Sequence, residues 1–296
     1  MFPGQGAQKS GMLADLPTAQ RKLVRELTGV ELTDTKYEDS IETQLAVVIL
    51  QIYQVDQLKK AGYFPTVVAG HSLGIFAAAY ALEVITKEDI IKLVFMRAGL
   101  MKEAYSPKDY GMGVITGLSS FEVAELVKQV NSFSNPVNAS NQNAPTQTVI
   151  SGKKTAVTEV LKLASDIGAS KAKLLNVPVL SHTPLLNPVA NKLACYIENF
   201  SFRQPQGLYL ANYNGRLLRT SSQIKYDLAH NLAYPVYWDK MLDVGLELDL
   251  KIAVEFSPGK VLTKLLAQKN RQLKSISLEQ YGLSDGIYLL DKWDNN

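Results

Sequence analysis

Cysteine occurs once in 296 residues, histidine three times and tryptophan twice, and 31 basic residues nearly balance 28 acidic ones. One cysteine excludes an internal disulfide and a thiolate metal cage. It stands in PVANKLACYIENF beside Leu193 and Ile197, where helical spacing predicts Cys195 as a small buried residue. A net charge of +3 is too small for a nucleic-acid footprint without a local cluster. The densest basic stretch, Lys260, Lys264, Lys269, Arg271 and Lys274, reads as a solvated helix face. The N-terminus, MFPGQGAQKSG, has no basic segment followed by an apolar one, and no run reaches the roughly 18 apolar residues of a membrane span. The expectation is a cytoplasmic chain that engages neither nucleic acid nor membrane. Its length suits one large domain carrying a smaller inserted one.

Apolar periodicity supplies the elements. Residues 41–61 place Leu45, Val48, Ile49, Ile52 and Val55 at helical spacing, with Gly62 as the stop. FPTVVAG then reads as a buried strand and IFAAAYALEV as a helix whose small residues allow close packing on a sheet. Thr86 and the acids after it open a further helix, TKEDIIKLVFMRAGLMKEAY. From about Asp109 to Val177 the texture changes. The strand-like runs GMGVITG, QTVISG and KAKLLNV alternate there with the helical patterns SFEVAELVKQV and KTAVTEVLKLASDIGA, as in a small α/β block inserted into the larger one. Helical spacing resumes in PVANKLACYIENF, and LYLANYN and IAVEFSPG supply later strands.

Gly70-His71-Ser72-Leu73-Gly74 fits G-x-S-x-G, in which a strand-to-helix turn holds a serine hydroxyl above a sheet edge. The same residues could cap a helix, but a predicted strand precedes them and a predicted helix follows. The helix start also offers backbone N–H groups, notably that of Leu73, to an oxyanion. A serine needs a base. His71 would have to fold back along the turn. His182, in NVPVLSHTPLL, and His230, in DLAHNLAYPVYW, both stand at the ends of predicted elements; the residues favour His182 and leave His230 open. Arg97 shares a helix face with Ile90, Val94 and Met101, so a guanidinium sits on the stripe that faces the core. Its neighbours three and four residues away are Leu93, Val94, Leu100 and Met101, none of which can neutralise it. An ion buried without a partner costs several kcal/mol, so Arg97 requires an anion, either a distant Asp or Glu or the carboxylate of a ligand. Phe2-Pro3-Gly4-Gln5-Gly6-Ala7-Gln8 is a Gly-rich turn whose N–H groups could add an oxyanion donor.

Assembled in order, FPGQGAQ, TQLA (Thr43 to Ala46), GHSLG, MRAGLM, PVYW and SPGKVLTKLL resemble the malonyl-CoA:acyl carrier protein transacylase family over almost the whole chain. Within it, DYGMGVITGL, VPVLSHTPLL, YLANYNGRLLR and DLAHNLAYPVYWDKM look most like the epsilon subunit of malonate decarboxylase. The resemblance implies an α/β-hydrolase-like large domain with a parallel sheet, residues 1–108 and 179–296, and an inserted ferredoxin-like α+β subdomain, 109–178. It makes Ser72 the acyl-accepting nucleophile and His182 its base, with the Gln5 and Leu73 N–H groups as oxyanion hole. Arg97 would bind the malonyl carboxylate, Met101 would line the acyl pocket, and the main-chain carbonyl of Asn231 would orient the histidine. It implies malonyl-CoA as substrate, no metal or permanently bound cofactor, and as partner an acyl carrier protein or the decarboxylase carrier subunit. The other readings are the same transfer serving fatty-acid or polyketide synthesis, a serine thioesterase or esterase, and a non-catalytic scaffold. Three positions depart from the family. The strand before FPGQG would be cut short, Ile75 replaces a common glutamate at the pocket edge, and Ser181 replaces a bulky phenylalanine.

Overall fold

The computed structural model describes residues 1–175 and 180–294. The chain begins with α1 (Thr18–Thr28) and α2 (Ser40–Lys60), followed by β1 (Val67–Ala69), α3 (Ile75–Ala81) and α4 (Lys87–Ala104). The Asp39 carboxylate accepts the Ile41 and Glu42 N–H groups to start α2, and Gly62, with φ of 92°, turns the chain after it. α2 is buried on nearly every side, polar residues included. Its glutamines are therefore put to use as amides: Gln51 Nε2 donates to Pro3 O at 2.8 Å, and Gln54 exchanges two bonds with Ser257 at 3.0 Å. In α4, capped by Thr86, the buried face carries Ile90, Val94, Arg97 and Met101, the set that the spacing predicted.

The next block runs β2 (Tyr110–Thr116), α5 (Ser120–Val130), β3 (Val137–Ala144), β4 (Gln147–Lys153), α6 (Lys154–Asp166) and β5 (Lys171–Leu174). Its strands form one antiparallel sheet in the order β3-β4-β2-β5. Both helices cover that sheet over a separate apolar core that includes Ile115, Val123, Ile150 and Val160. The sequence pattern announces three of these strands but not β3, whose VNASNQNA lacks β-branched residues after Val137. Tertiary pairing holds it instead. β4 flanks one side, and on the other Gln142 N donates to Val236 O and Val236 N to Ser140 O, both at 2.8 Å. The end of the KAKLLNV run and the return point at 178/179 lie outside the described residues.

The chain continues through α7 (Asn187–Ile197), β6 (Leu208–Leu210), β7 (Leu217–Leu218), α8 (Ser221–His230), α9 (Trp238–Leu246), β8 (Ile252–Glu255), α10 (Val261–Lys269), β9 (Lys274–Ser277), α11 (Leu278–Tyr281) and α12 (Leu283–Asp294). β1 pairs parallel with β6, β6 antiparallel with β7, and β8 parallel with β9. Met1 and Phe2 join the two groups. Phe2 N donates to Ala69 O at 2.8 Å, Phe256 N donates to Met1 O at 3.0 Å, and the Phe2 and Phe256 rings stack at 4.2 Å. Phe2 makes an isolated parallel bridge to Gly70, and beside it lies a cavity of about 540 Å³ lined by Val67, Val68, Ala253 and Val254 among others.

Two expectations change. α7 buries Val189, Ala190, Leu193 and Ile197, but Cys195 is exposed. Two residues from both Leu193 and Ile197, it stands about 200° around the helix from each. In the basic stretch, Lys269 is only 14% exposed and bridges Asp239 at 2.9 Å, so that end of it is a paired charge rather than a solvated one. Among the described residues no helix is long and apolar enough to cross a membrane.

Candidate active site

The turn after β1 is closed by backbone contact. A Cβ on Gly70 would lie 2.3 Å from Ile75 N, and one on Gly74 would lie 2.0 Å from Phe2 O, so neither position admits a side chain. Between them Ser72 adopts φ of 53°, the sharp elbow that the motif implies. The Gly-rich N-terminal turn lies directly against it: His71 N donates to Phe2 O at 2.8 Å, while Gln51 of α2 holds the next carbonyl, that of Pro3. Leu73 is the second residue of the short helical turn Ser72–Gly74, where a backbone N–H has no helical acceptor.

His182 Nε2 lies 2.6 Å from Ser72 Oγ. Its Nδ1 is 3.0 Å from two main-chain oxygens, those of Asn231 and Tyr234. Carbonyl oxygens only accept, so Nδ1 carries the proton and the Nε2 lone pair faces the serine hydroxyl. A third bond, His182 N to Leu232 O at 2.7 Å, fixes the backbone. His182 has φ of 58°, so serine and histidine both occupy the left-handed region, at about 1–3 kcal/mol each for residues other than glycine. Burial lowers the His182 pKa to about 3, and the nearby Arg97 guanidinium and His71 imidazole add to the effect. The imidazole is therefore neutral, in the form that accepts a proton.

The other histidines are placed elsewhere. His71 Nε2 pairs with Asn143 Oδ1 at 2.9 Å, its ring is tilted over Trp238, and burial lowers its pKa. His230 Nδ1 donates to Tyr226 O at 2.9 Å and its ring stacks on Tyr226 at 4.1 Å. Neither meets the serine; of the three histidines His182 is the one beside its hydroxyl.

Arg97 is 1% exposed. It donates to Gln44 Oε1 and sits over the Phe76 ring. Its Nε has no partner among the described residues. Burial alone lowers its pKa to about 10, with no carboxylate acting against the shift. The distant Asp or Glu that could have neutralised it is absent among the described residues.

These groups line one cavity of about 270 Å³. Gln5, Ser72, Arg97, Met101, Ser181 and His182 enter it from the large block, and the sheet of the small block adds Met112, Asn141 and Asn143. Ser181 Oγ donates to Met112 Sδ at 3.3 Å, so methionine occupies part of the room that serine leaves. Ile75 is 0% exposed in the core and does not line this cavity, contrary to the pocket-edge position expected. The side chain of Asn231 does not reach the histidine; both its polar atoms are buried without partners among the described residues, and only its main chain serves.

Sequence reading missed five contributors. Gln44 had a usable signal, since a glutamine on an otherwise apolar helix face needs a partner as Arg97 does. Tyr234 contributes through its carbonyl, and Asn141 and Asn143 through the unannounced β3, so neither pattern nor residue type pointed to them. Asn212, 140 residues from Ser72, accepts its N–H at 2.9 Å.

Residues 1–281 match the family model described as acyl transferase domain. The chain is 33% identical over 293 residues to a malonyl CoA-acyl carrier protein transacylase of Haemophilus influenzae, covering 94% of each. Among solved structures it is similar to an acyl carrier protein S-malonyltransferase from Vibrio cholerae, with TM-score 0.87, 31% identity and 93% and 94% of the two chains covered. It is also similar to a malonyl-transacylase in complex with its type II PKS acyl carrier protein, with TM-score 0.90, 30% identity and 100% and 98% covered.

Proposed function

The chain belongs to the acyl transferase domain family, and from that membership we propose that it carries a malonyl group from malonyl-CoA, through an ester on Ser72, to the thiol of an acyl carrier protein. One observation carries the reading. Arg97 is a buried guanidinium with a neutral partner and no carboxylate beside it among the described residues, in the same cavity as the Ser72–His182 pair. The substrate's free carboxylate supplies the missing anion, which neither acetyl nor a simple ester would do.

In the first half-reaction His182 Nε2 takes the Ser72 proton as Oγ attacks the thioester carbonyl. The oxyanion is held by the Gln5 and Leu73 N–H groups, donors that are each worth on the order of 10²–10³ in rate. As the tetrahedral intermediate collapses, the C–S bond breaks and His182 returns the proton to the CoA sulfur. In the second half a carrier thiol gives its proton to His182, attacks the Ser72 ester, and the proton ends on Oγ. Imidazolium is stabilised by the Asn231 and Tyr234 carbonyls, so the pair works without an acid as third member. Met101 lines the acyl end.

We further read residues 1–108 and 179–296 as an α/β-hydrolase-like catalytic domain and 109–178 as a ferredoxin-like subdomain; the β-α-β-β-α-β succession with strand order β3-β4-β2-β5 supports the second name. The carrier that its sequence motifs favour is that of malonate decarboxylase, with a dephospho-CoA-derived prosthetic group; the likeness to a type II PKS transacylase supports the fatty-acid or polyketide carrier. Incubation with malonyl-CoA followed by mass spectrometry should yield a malonyl ester on Ser72, discharged only when carrier is added. Rapid release of free malonate without carrier would make the chain a hydrolase, and absence of any adduct a scaffold. Discharge rates across a panel of purified carriers identify the partner.

A further inference from the structure

Asn212 follows β6 and is 0% exposed. Its side-chain amide is set across the elbow like a backbone unit of a neighbouring strand. Oδ1 accepts the Ser72 N–H at 2.9 Å and Nδ2 donates to Gly70 O, on the two sides of His71. Nδ2 also meets Met241 Sδ at 3.7 Å. No other described residue bonds both arms of the turn through one side chain. Two consequences follow. The left-handed φ of Ser72 costs energy, and it persists because groups on both sides of the turn are tied to one rigid amide. The Ser72 N–H is also consumed, so it cannot serve an oxyanion, which leaves that role to the neighbouring N–H groups.

Asn212 is itself fixed from a distance. Its carbonyl accepts Tyr237 N at 2.9 Å, and its N–H supports the buried Asp227 carboxyl. Tyr209 OH donates to the same carboxyl at 2.8 Å. Asp227 lies on α8, which runs directly into the turn Asn231–Ala233; Asn231 and Tyr234 then hold His182 Nδ1. A ring of contacts thus closes from Ser72 through Asn212, Asp227 and α8 to His182 and back. We propose that Asn212 is a positioning residue that holds the Ser72 elbow in its attacking geometry, and that α8 ties this elbow clamp to the histidine that must meet it. The idea rests on Ser72 being the nucleophile, as the proposed function has it.

The test uses the full chain with Asn212→Leu and Asn212→Asp. Sulfonylation of Ser72 by phenylmethylsulfonyl fluoride, followed by intact-protein mass spectrometry, reports nucleophile geometry without requiring malonyl recognition. Melting temperature is measured alongside, with kcat and KM for malonyl transfer. Misplacing a reacting atom by about 1 Å costs about 10²-fold, so Asn212→Leu should slow labelling and kcat by about that factor with KM for malonyl-CoA unchanged. Asn212→Asp keeps the acceptor for the Ser72 N–H and loses the donor to Gly70 O, so its loss should be smaller, about tenfold. A folded Asn212→Leu that labels at the wild-type rate overturns the proposal. If that variant does not fold, the near-isosteric Asn212→Asp decides by the same criterion. Wild-type protein that labels readily but never transfers malonyl, with slow labelling in the variants, would sink the malonyl reading and leave the clamp standing.

Discussion

The two ends of the active-site cavity are built on opposite plans. At the Ser72–His182 end the groups that must be oriented are tied in place, His182 to the Leu232, Asn231 and Tyr234 carbonyls and the elbow to Phe2 and the Asn212 amide. Both residues are held in left-handed backbone, and burial keeps the imidazole neutral. At the Arg97 end a full charge is buried against one glutamine, with its Nε unpaired among the described residues. One end is complete before substrate arrives and the other is not. A catalytic pair gains from preorganisation, whereas a recognition site gains discrimination by leaving a charge whose desolvation is offset only by the right ligand.

The largest effects should come from breaking the complete end. Ser72→Ala should abolish the adduct and lower malonyl transfer by on the order of 10⁴-fold or more; transfer near the wild-type rate would end the mechanism. His182→Ala should do nearly the same, because residues that act as a unit are not additive. Breaking the incomplete end should change preference rather than chemistry. Arg97→Met should reduce malonyl transfer by about 10²–10³-fold, the equivalent of a lost buried ion pair, while acetyl transfer is spared. Because it also removes an uncompensated buried charge, the free variant should melt no lower than wild type; equal losses for both acyl groups would make Arg97 a structural residue. Gln44→Leu is expected to have a smaller effect, about tenfold and mainly on malonyl KM, since it frees the guanidinium without removing it.

The pH dependence should sharpen the comparison further. With His182 held at about 3 instead of 6.5, Ser72 acylation should stay level down to about pH 5 where a free histidine would already have lost most of its basic form. A fall centred near pH 6.5 would contradict this. The sign for stability follows from the same shift. The unfolded chain binds the proton first, so the contribution of neutral His182 is fully present above pH 6.5 and is lost as pH falls towards 3. Thermal melts across that window should show it as a decline on the acid side, partly masked by Asp227, whose pKa burial raises to about 7 and which therefore favours the folded state on acidification.

Local features of this chain are legible in its residues. The G-x-S-x-G elbow, the helix stopped by Gly62 and the one started by Thr86, three strands of the small block and the inward face that carries Arg97 all depend on spacing over a few residues, and spacing is what a sequence displays. Cys195 shows the limit even there, since a helical neighbourhood does not say which face points inward. The strand β3 shows it again, because a polar run becomes a strand only when β4 and Val236 bond both its edges.

What tertiary structure alone decided lies in contacts between distant residues. His182 and not His230 reaches Ser72 across 110 positions, Gln44 reaches Arg97 across 53, and Asn212 reaches the elbow across 140. No periodicity encodes such pairings. The sequence by itself determined that a serine would stand on an elbow and that an arginine would be buried in need of an anion. Only the fold decided that no carboxylate among the described residues would answer that need, and so left the charge for a ligand.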